Sequence, residues 1–248
     1  GCTIWDLNGK KYYDMCSMGI GTNVLGYSNK TIDRFVISKI KKGNISTLNC
    51  PEEVQLTEKL LQLHKWAGMV KFTRSGGEAN ALAIRIARSY TEKHNVAFCG
   101  YHGWHDWYLS SAIDKKDNLK FHLLPNLEIK GVPKSLKNTS FPFKYGDINY
   151  LKKLILKKKI GIIKLEVCRN TKPNIKFLRQ VRKICDKKGI VLIFDECTTG
   201  FRQTLAGIHK ELNIDPDIVI YGKAMGNGYP INAVVGKKNI MSASSKTF

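Results

Sequence analysis

Lys223 stands at the end of an apolar run and against a glycine-rich turn, in DIVIYGKAMGNGYP at 217–230. Apolar walls disfavour an ammonium and lower its pKa, which makes the amine a usable nucleophile. Such a lysine suits Schiff-base chemistry, although a strand-end Lys before Gly also serves as a capped, solvated side chain. In IVLIFDECTTGFR, at 190–202, the apolar residues 190–194 run into Asp195 and Glu196. Open α/β sheets take ligands outside the carboxyl ends of their strands. An Asp there can orient a metal, hold a ribose or pair with a protonated ring nitrogen; Asp-Glu before Thr-Thr-Gly can equally cap a turn.

In TRSGGEANALAIRIARSY, at 73–90, Ser75, Gly76 and Gly77 precede a stretch whose apolar residues recur with helical spacing. Glu78 falls in its first turn, and Arg85 and Arg88 lie later, the order the helix dipole favours. Free amides at such a helix start can receive a phosphate, with the Ser75 hydroxyl as a further donor; an ordinary Ser-Gly cap fits the segment as well. Neither GxxxxGK[ST] nor GxGxxG spacing is present. A fourth segment, VAFCGYHGWHDW at 96–107, carries Tyr101 and His102 just past an apolar strand. An aromatic residue at that edge can stack on a flat heteroaromatic ring. His102 and His105 have no third ligand at a recognisable zinc spacing, which disfavours a metal.

Pyridoxal 5′-phosphate (PLP) would use all four segments. It needs a lysine for its aldehyde, an acid for its ring nitrogen, donors for its phosphate and a cover for its ring. On this reading Asp195 keeps the ring nitrogen protonated, and Lys223 moves the proton once the substrate amine has displaced it.

The order SGGEA, YHGWHD, FDECTTGFR and GKAMGNGYP resembles the class III aminotransferases among the fold-type I PLP enzymes, with the glutamate-1-semialdehyde aminomutase-like members nearest. The opening TIWDLNGKKYYDMCSMGIGTNVLGYSNKTI is similar to that family's N-terminal segment, so the resemblance spans essentially the whole chain. It implies an α/β fold with a mostly parallel central sheet flanked by helices. It makes Lys223 the Schiff-base lysine, Asp195 the ring-nitrogen partner, and Tyr101, with His102 beside it, the ring cover. Ser75, Gly76 and Gly77 become the phosphate cup, Cys197 an apolar filler against the other ring face, and Thr198 a polar contact near the ring hydroxyl. Glu166 matches a Glu that the family writes as Glu-Pro; Val167 replaces that proline here, which puts substrate-side roles for Glu166, Arg169 and Asn170 in doubt. The implied activity is amino transfer, or aminomutation, on a small amino acid, amino aldehyde or amino sugar, in a homodimer. The expected layout is an N-terminal segment at 1–50 and a PLP-binding large domain at 51–248. A family-type start and small C-terminal domain are missing from it, so the chain reads as a fragment whose own activity is open.

Apolar strand candidates at 96–101, 160–167, 190–195 and 218–222 alternate with helical candidates at 31–42, 54–64, 78–90 and 176–188. That alternation independently argues for α/β with a largely parallel sheet. The polar stretch 114–145 reads as a long surface excursion over the site. The chain of 248 residues, 43% hydrophobic, is long enough for a substantial core.

The seven cysteines are odd in number and form no CxxC, which favours a reduced, cytoplasmic protein without a disulfide framework. No signal peptide and no apolar run of membrane-spanning length is visible. The formal net charge of +21 raises affinity for polyanions and keeps a nucleic-acid binder in view. Its lysines are scattered, with groups at 39–42, 152–159 and 187–188, and no nucleic-acid-binding motif accompanies them. Within fold-type I, a lyase, decarboxylase or racemase would use the same segments, because the bond broken depends on which one stands perpendicular to the ring.

Overall fold

The structure, a computed structural model, describes residues 1–43, 47–114, 119, 129–168 and 170–246. A hairpin of β1 (Thr3–Trp5) and β2 (Lys11–Tyr13) opens the chain, followed by the distorted turn α1 (Met18–Gly21) and by α2 (Lys30–Ile40) and α3 (Pro51–Leu63). The next elements are β3 (Met69–Thr73), α4 (Gly76–Thr91), β4 (Val96–Cys99), α5 (Asp106–Leu109) and β5 (Ser140–Pro142). After α6 (Ile148–Lys158) come β6 (Ile162–Glu166), α7 (Ile175–Lys188), β7 (Val191–Asp195), α8 (Ile208–Glu211) and β8 (Ile218–Tyr221). The strand β9 (Asn232–Gly236) and the short α9 (Lys238–Met241) follow.

The main sheet has seven strands in the order β3-β9-β8-β7-β6-β4-β5. β9 pairs antiparallel with both β3 and β8, and the other pairings are parallel. Its central strands are buried along their whole length. Strands covered on both faces need apolar residues on both, which is why they read as unbroken apolar runs. Alternate residues therefore serve two cores. Ile163, Leu165, Leu192 and Phe194 pack with Phe177, Leu178 and Val181 of α7 and with Leu151 of α6. On the opposite face Ile162, Ile193 and Ile220 pack with Ala83, Ile86 and Ala87 of α4 and with Trp107.

Polar side chains set the helix starts. Asn29 accepts hydrogen bonds from the Thr31 and Ile32 amides, Asp147 from that of Tyr150 and Asn174 from that of Phe177. Gly189 ends α7 in the left-handed conformation that L side chains disfavour. The strands and helices read from the sequence are present with ends shifted by a few residues. The stretch 114–145 departs from the surface excursion expected of it, in part. Its residues 140–142 form the edge strand β5, and Ser140 and Phe143 are buried; residues 115–118 and 120–128 lie outside the described residues. Among the described residues no helix is long and apolar enough to cross a membrane.

Asp217, at the entry to β8, ties the two helical layers to the sheet. Its Oδ2 accepts from Arg182 Nη1 at 3.0 Å and from the Leu192 amide at 2.8 Å, and its Oδ1 from Lys237 Nζ at 2.7 Å. Arg182 keeps a second partner in Asp186 and Lys237 is only half-buried, so Asp217→Ala mainly leaves the buried Leu192 amide and the Arg182 guanidinium short of an acceptor and should cost about 1–3 kcal/mol of stability. Denaturant unfolding against wild type measures it, and a loss below about 1 kcal/mol would contradict this role.

Candidate active site

Loops leaving the carboxyl ends of β3, β4, β7 and β8 meet at one edge of the sheet. Lys223 follows Gly222, the residue just past β8, and it adopts a left-handed φ of 46° unusual for a side-chain-bearing residue. It is half-buried, and its Nζ donates to Thr198 Oγ1 at 2.9 Å. Gly222 is required for space: a Cβ there would collide with the Asn232 side-chain oxygen and lie 3.3 Å from Cys197 Sγ. A Cβ on Gly76 would meet the same two atoms at 3.8 and 3.9 Å. Cys197 and Asn232 thus join the lysine loop to the start of α4.

Ser75 caps α4. Its Oγ accepts from the Glu78 amide at 3.2 Å, while Glu78 Oε2 accepts from the Arg74 and Ser75 amides at 2.9 and 3.0 Å. The capping role read from the sequence is therefore realised, and the exposed hydroxyl keeps its hydrogen to donate. The Gly76 and Gly77 amides sit in the first turn, where an α-helix offers no internal acceptor. A Cβ on Gly77 would come within 2.7 Å of the His105 ring, so the loop after β4 lies directly against this cradle.

Asp195, 4% exposed, ends β7. Its Oδ1 accepts from the Cys197 amide at 3.1 Å, and its Oδ2 lies 2.8 Å from His102 Nδ1 and 3.6 Å from Lys164 Nζ. Burial alone would raise its pKa, but the Lys164 ammonium and the His102 hydrogen bond hold the carboxyl far below the usual range. As an ionised carboxylate, Asp195 must receive its bond from His102 Nδ1–H. Glu196, next in sequence, points elsewhere. Its Oε1 accepts from the His209 amide at 2.9 Å, and its other oxygen accepts from the Thr199 hydroxyl, which fastens the loop beyond β7 to α8.

Tyr101 is 38% exposed at the rim, its amide bonded to Glu166 Oε2 at 3.0 Å. A Cβ on Gly100 would lie 2.5 Å from that same oxygen. Glu166 therefore sits beneath the 100–101 turn. Asn170 is exposed beyond β6, outside the contacts that draw the other loops together; Arg169 lies outside the described residues. Burial, with next a contribution from the charge of Cys197's neighbour Asp195, raises the Cys197 thiol well above its ordinary pKa and keeps it neutral. Sequence reasoning missed Lys164, whose signal was a single charge inside the apolar run IIKLE, and Asn232, which carried none. Among the described residues no group of three or more His, Cys, Asp or Glu side chains could hold a metal ion.

His102 is fully buried. Burial, reinforced by the Lys164 ammonium, pushes it from 6.5 down to about 4, while its contacts with Asp195 and the Cys99 carbonyl pull the other way. Between pH 6.5 and 4 the unfolded chain takes up a proton that folded His102 refuses. Stability should therefore fall with pH across that window, by up to about 1.4 kcal/mol per unit from this group. His102→Gln should remove that part of the slope, leaving the share from His64, which burial also lowers. An unchanged slope, measured by denaturant unfolding at several pH values, would refute the assignment.

The sequence pattern of the family described as Aminotransferase class-III matches residues 1–247. The chain is 34% identical to a 3-aminobutyryl-CoA aminotransferase of Cloacimonas acidaminovorans, over 97% of this chain and 56% of that protein. It is also 34% identical to a glutamate-1-semialdehyde 2,1-aminomutase of Sulfurisphaera tokodaii, over 98% of this chain and 58% of the relative. The chain thus spans less than two thirds of these curated relatives. An omega-transaminase from Sphaerobacter thermophilus superimposes with a TM-score of 0.85 at 26% identity, covering 98% of this chain and 57% of the other. The FumI protein of Sphingopyxis sp. MTA144, solved in its PLP internal aldimine form, gives 0.85 at 25% identity over 100% of this chain and 58% of its own. With that match running from end to end and the fold of transaminases beneath it, the chain belongs to the class III aminotransferase family.

Proposed function

We propose that the protein is a PLP-dependent aminotransferase or aminomutase, with Lys223 as the amine that takes the cofactor's aldehyde and Asp195 as the partner of its ring nitrogen. The observation that carries this reading is the meeting at one sheet edge of a half-buried lysine, an ionised buried carboxylate and a capped helix start with amides to spare. Family membership and the PLP-bound state of a structural neighbour support it.

The residues present fit the cofactor. The contacts of Asp195 with His102, Lys164 and the Cys197 amide leave acceptor capacity on a carboxylate, which has about four lone-pair sites. Ser75, Gly76 and Gly77 would receive the phosphate, Tyr101 would cover one ring face and neutral Cys197 the other. Thr198, which already bonds Lys223 Nζ, would meet the ring hydroxyl. When bound, PLP supplies an aldehyde for amine exchange and a protonated ring that withdraws electrons from the substrate's α-carbon. Asp195 would stabilise a protonated ring nitrogen by charge and hydrogen bonding. Thr198 would direct the Lys223 amine, which, once freed by the substrate amine, would be the base that holds the proton taken from the substrate's α-carbon. Glu166 holds the Tyr101 backbone in place, a supporting role that the 3.0 Å bond favours over direct substrate contact. The substrate belongs to the class of small amino acids, amino aldehydes and amino sugars, and the working protein is a homodimer.

Purified protein incubated with PLP should develop a visible absorbance band that borohydride fixes onto the peptide containing Lys223. Lys223→Ala should lose the band, and Asp195→Asn should keep bound cofactor while losing at least about a hundredfold in turnover with an amine donor. Ser75→Ala should weaken cofactor affinity more than it slows turnover. A band that persists in Lys223→Ala, or full turnover in Asp195→Asn, would overturn the assignment.

A further inference from the structure

Lys164 is 0% exposed, in a strand whose five residues are all buried. Among the described residues its Nζ finds no hydrogen-bond partner. It lies 3.6 Å from Asp195 Oδ2, the oxygen that His102 Nδ1 already approaches at 2.8 Å. The groups facing it are Asp195 and Cys197 from the β7 end, His102 from the loop after β4, and Glu166 two residues along its own strand. The buried residues of α4, packed on that face of the sheet, are Ala79, Asn80, Ala83, Ile84, Ile86 and Ala87, none of them titratable. A lone ammonium in such surroundings is costly unless paired, and Asp195, at 3.6 Å, is the stronger of the two carboxylates that act on it, ahead of Glu166.

We propose that Lys164 is a positioning residue that sets the basicity of Asp195 toward a cationic ring nitrogen. Its ammonium competes for Oδ2, so a pyridine nitrogen docked on Asp195 gives up its proton at lower pH than it would beside Asp195 and His102 alone. One carboxylate cannot compensate the Lys164 ammonium and a pyridinium together as well as it compensates either, and the weaker-held proton leaves to solvent. The inference rests on the PLP reading above. It makes the electron-withdrawing power of the site depend on a residue that acts only through Asp195.

The probe is pyridoxamine 5′-phosphate labelled with nitrogen-15 in its ring. It has no aldehyde, so it binds without the chemistry of Lys223. The ring-nitrogen shift is followed by NMR through a pH titration of wild type, Lys164→Met and Lys164→Arg. The deprotonation midpoint should lie about one pH unit or more higher in Lys164→Met than in wild type, a tenfold change in proton affinity. Lys164→Arg, which keeps the charge, should stay with wild type. Equal midpoints in wild type and Lys164→Met overturn the inference and leave the cofactor reading standing. Absence of binding by wild type overturns both. If Lys164→Met does not fold, Lys164→Gln takes its place in the same titration, and a midpoint raised by about one pH unit over wild type supports the inference. A midpoint in Lys164→Gln equal to that of wild type overturns the inference.

Discussion

Burying the Asp195 carboxylate is the constraint around which the site edge is organised. An anion removed from water needs partners on several sides, and no single strand can provide them. His102 comes from beyond β4, Lys164 from within β6 and the Cys197 amide from the turn after β7. These meet because β4, β6 and β7 run parallel in a fixed register that pairs Cys99 with Leu165 and Glu166 with Asp195. A shift of one residue would turn Asp195 toward the α7 face and Phe194 toward the α4 face. The apolar packing on both faces of the sheet therefore also fixes the charge on Asp195.

The same geometry gives two adjacent acids different work. Asp195 and Glu196 leave the strand in opposite senses, as neighbours in extended chain do. Asp195 turns to the edge where Lys223 stands. Glu196 turns into the cluster of His209, Thr199 and, one ring further, His64, whose ring stacks on that of His209 at 5.6 Å. Thr198 lies between these anchored ends, which keeps its hydroxyl within bonding distance of the Lys223 amine.

Much of this edge was legible in the chain. The central strands β7 and β8 are covered on both faces, so each reads as an apolar run stopping at a polar residue, and Asp195 and Lys223 stand at or just beyond those stops. The fold class followed from the same runs alternating with helical stretches. The strand β3 did not announce itself, because it is half-buried and carries Lys71. The strand β5 has three residues, and β9 follows so closely on GNGYP that its start looks like more of the same turn. The helix α6 places Leu151, Leu154 and Ile155 at helical spacing, but its lysines drew attention to charge instead. Lys164 was opaque for a different reason. A lysine in a strand ordinarily marks a solvent face, and only the acid and imidazole brought from other strands give it another meaning. Ser75 shows an ambiguity that was real: its oxygen caps the helix, and its hydrogen remains for a ligand.

None of the described residues before Leu60 is buried, yet residues 20–33 follow a defined path beside the lysine loop. Asn227 accepts from the Leu25 amide and donates to the Gly26 carbonyl, and Arg202 donates to the Gly21 carbonyl. Tyr229 adds a bond to the Asp33 carboxylate. The first three grip main-chain atoms, which every amino acid offers alike. The route of this stretch is thus dictated by side chains located some two hundred positions away in the sequence, while its own exposed residues, Val24 and Leu25 among them, carry little of the burden of holding it there. Such an arrangement gives the exposed side chains of Val24 and Leu25 mutational latitude, whereas Gly21 and Gly26 hold left-handed φ of 72° and 89° at which a Cβ would press on Arg202 and Gly1.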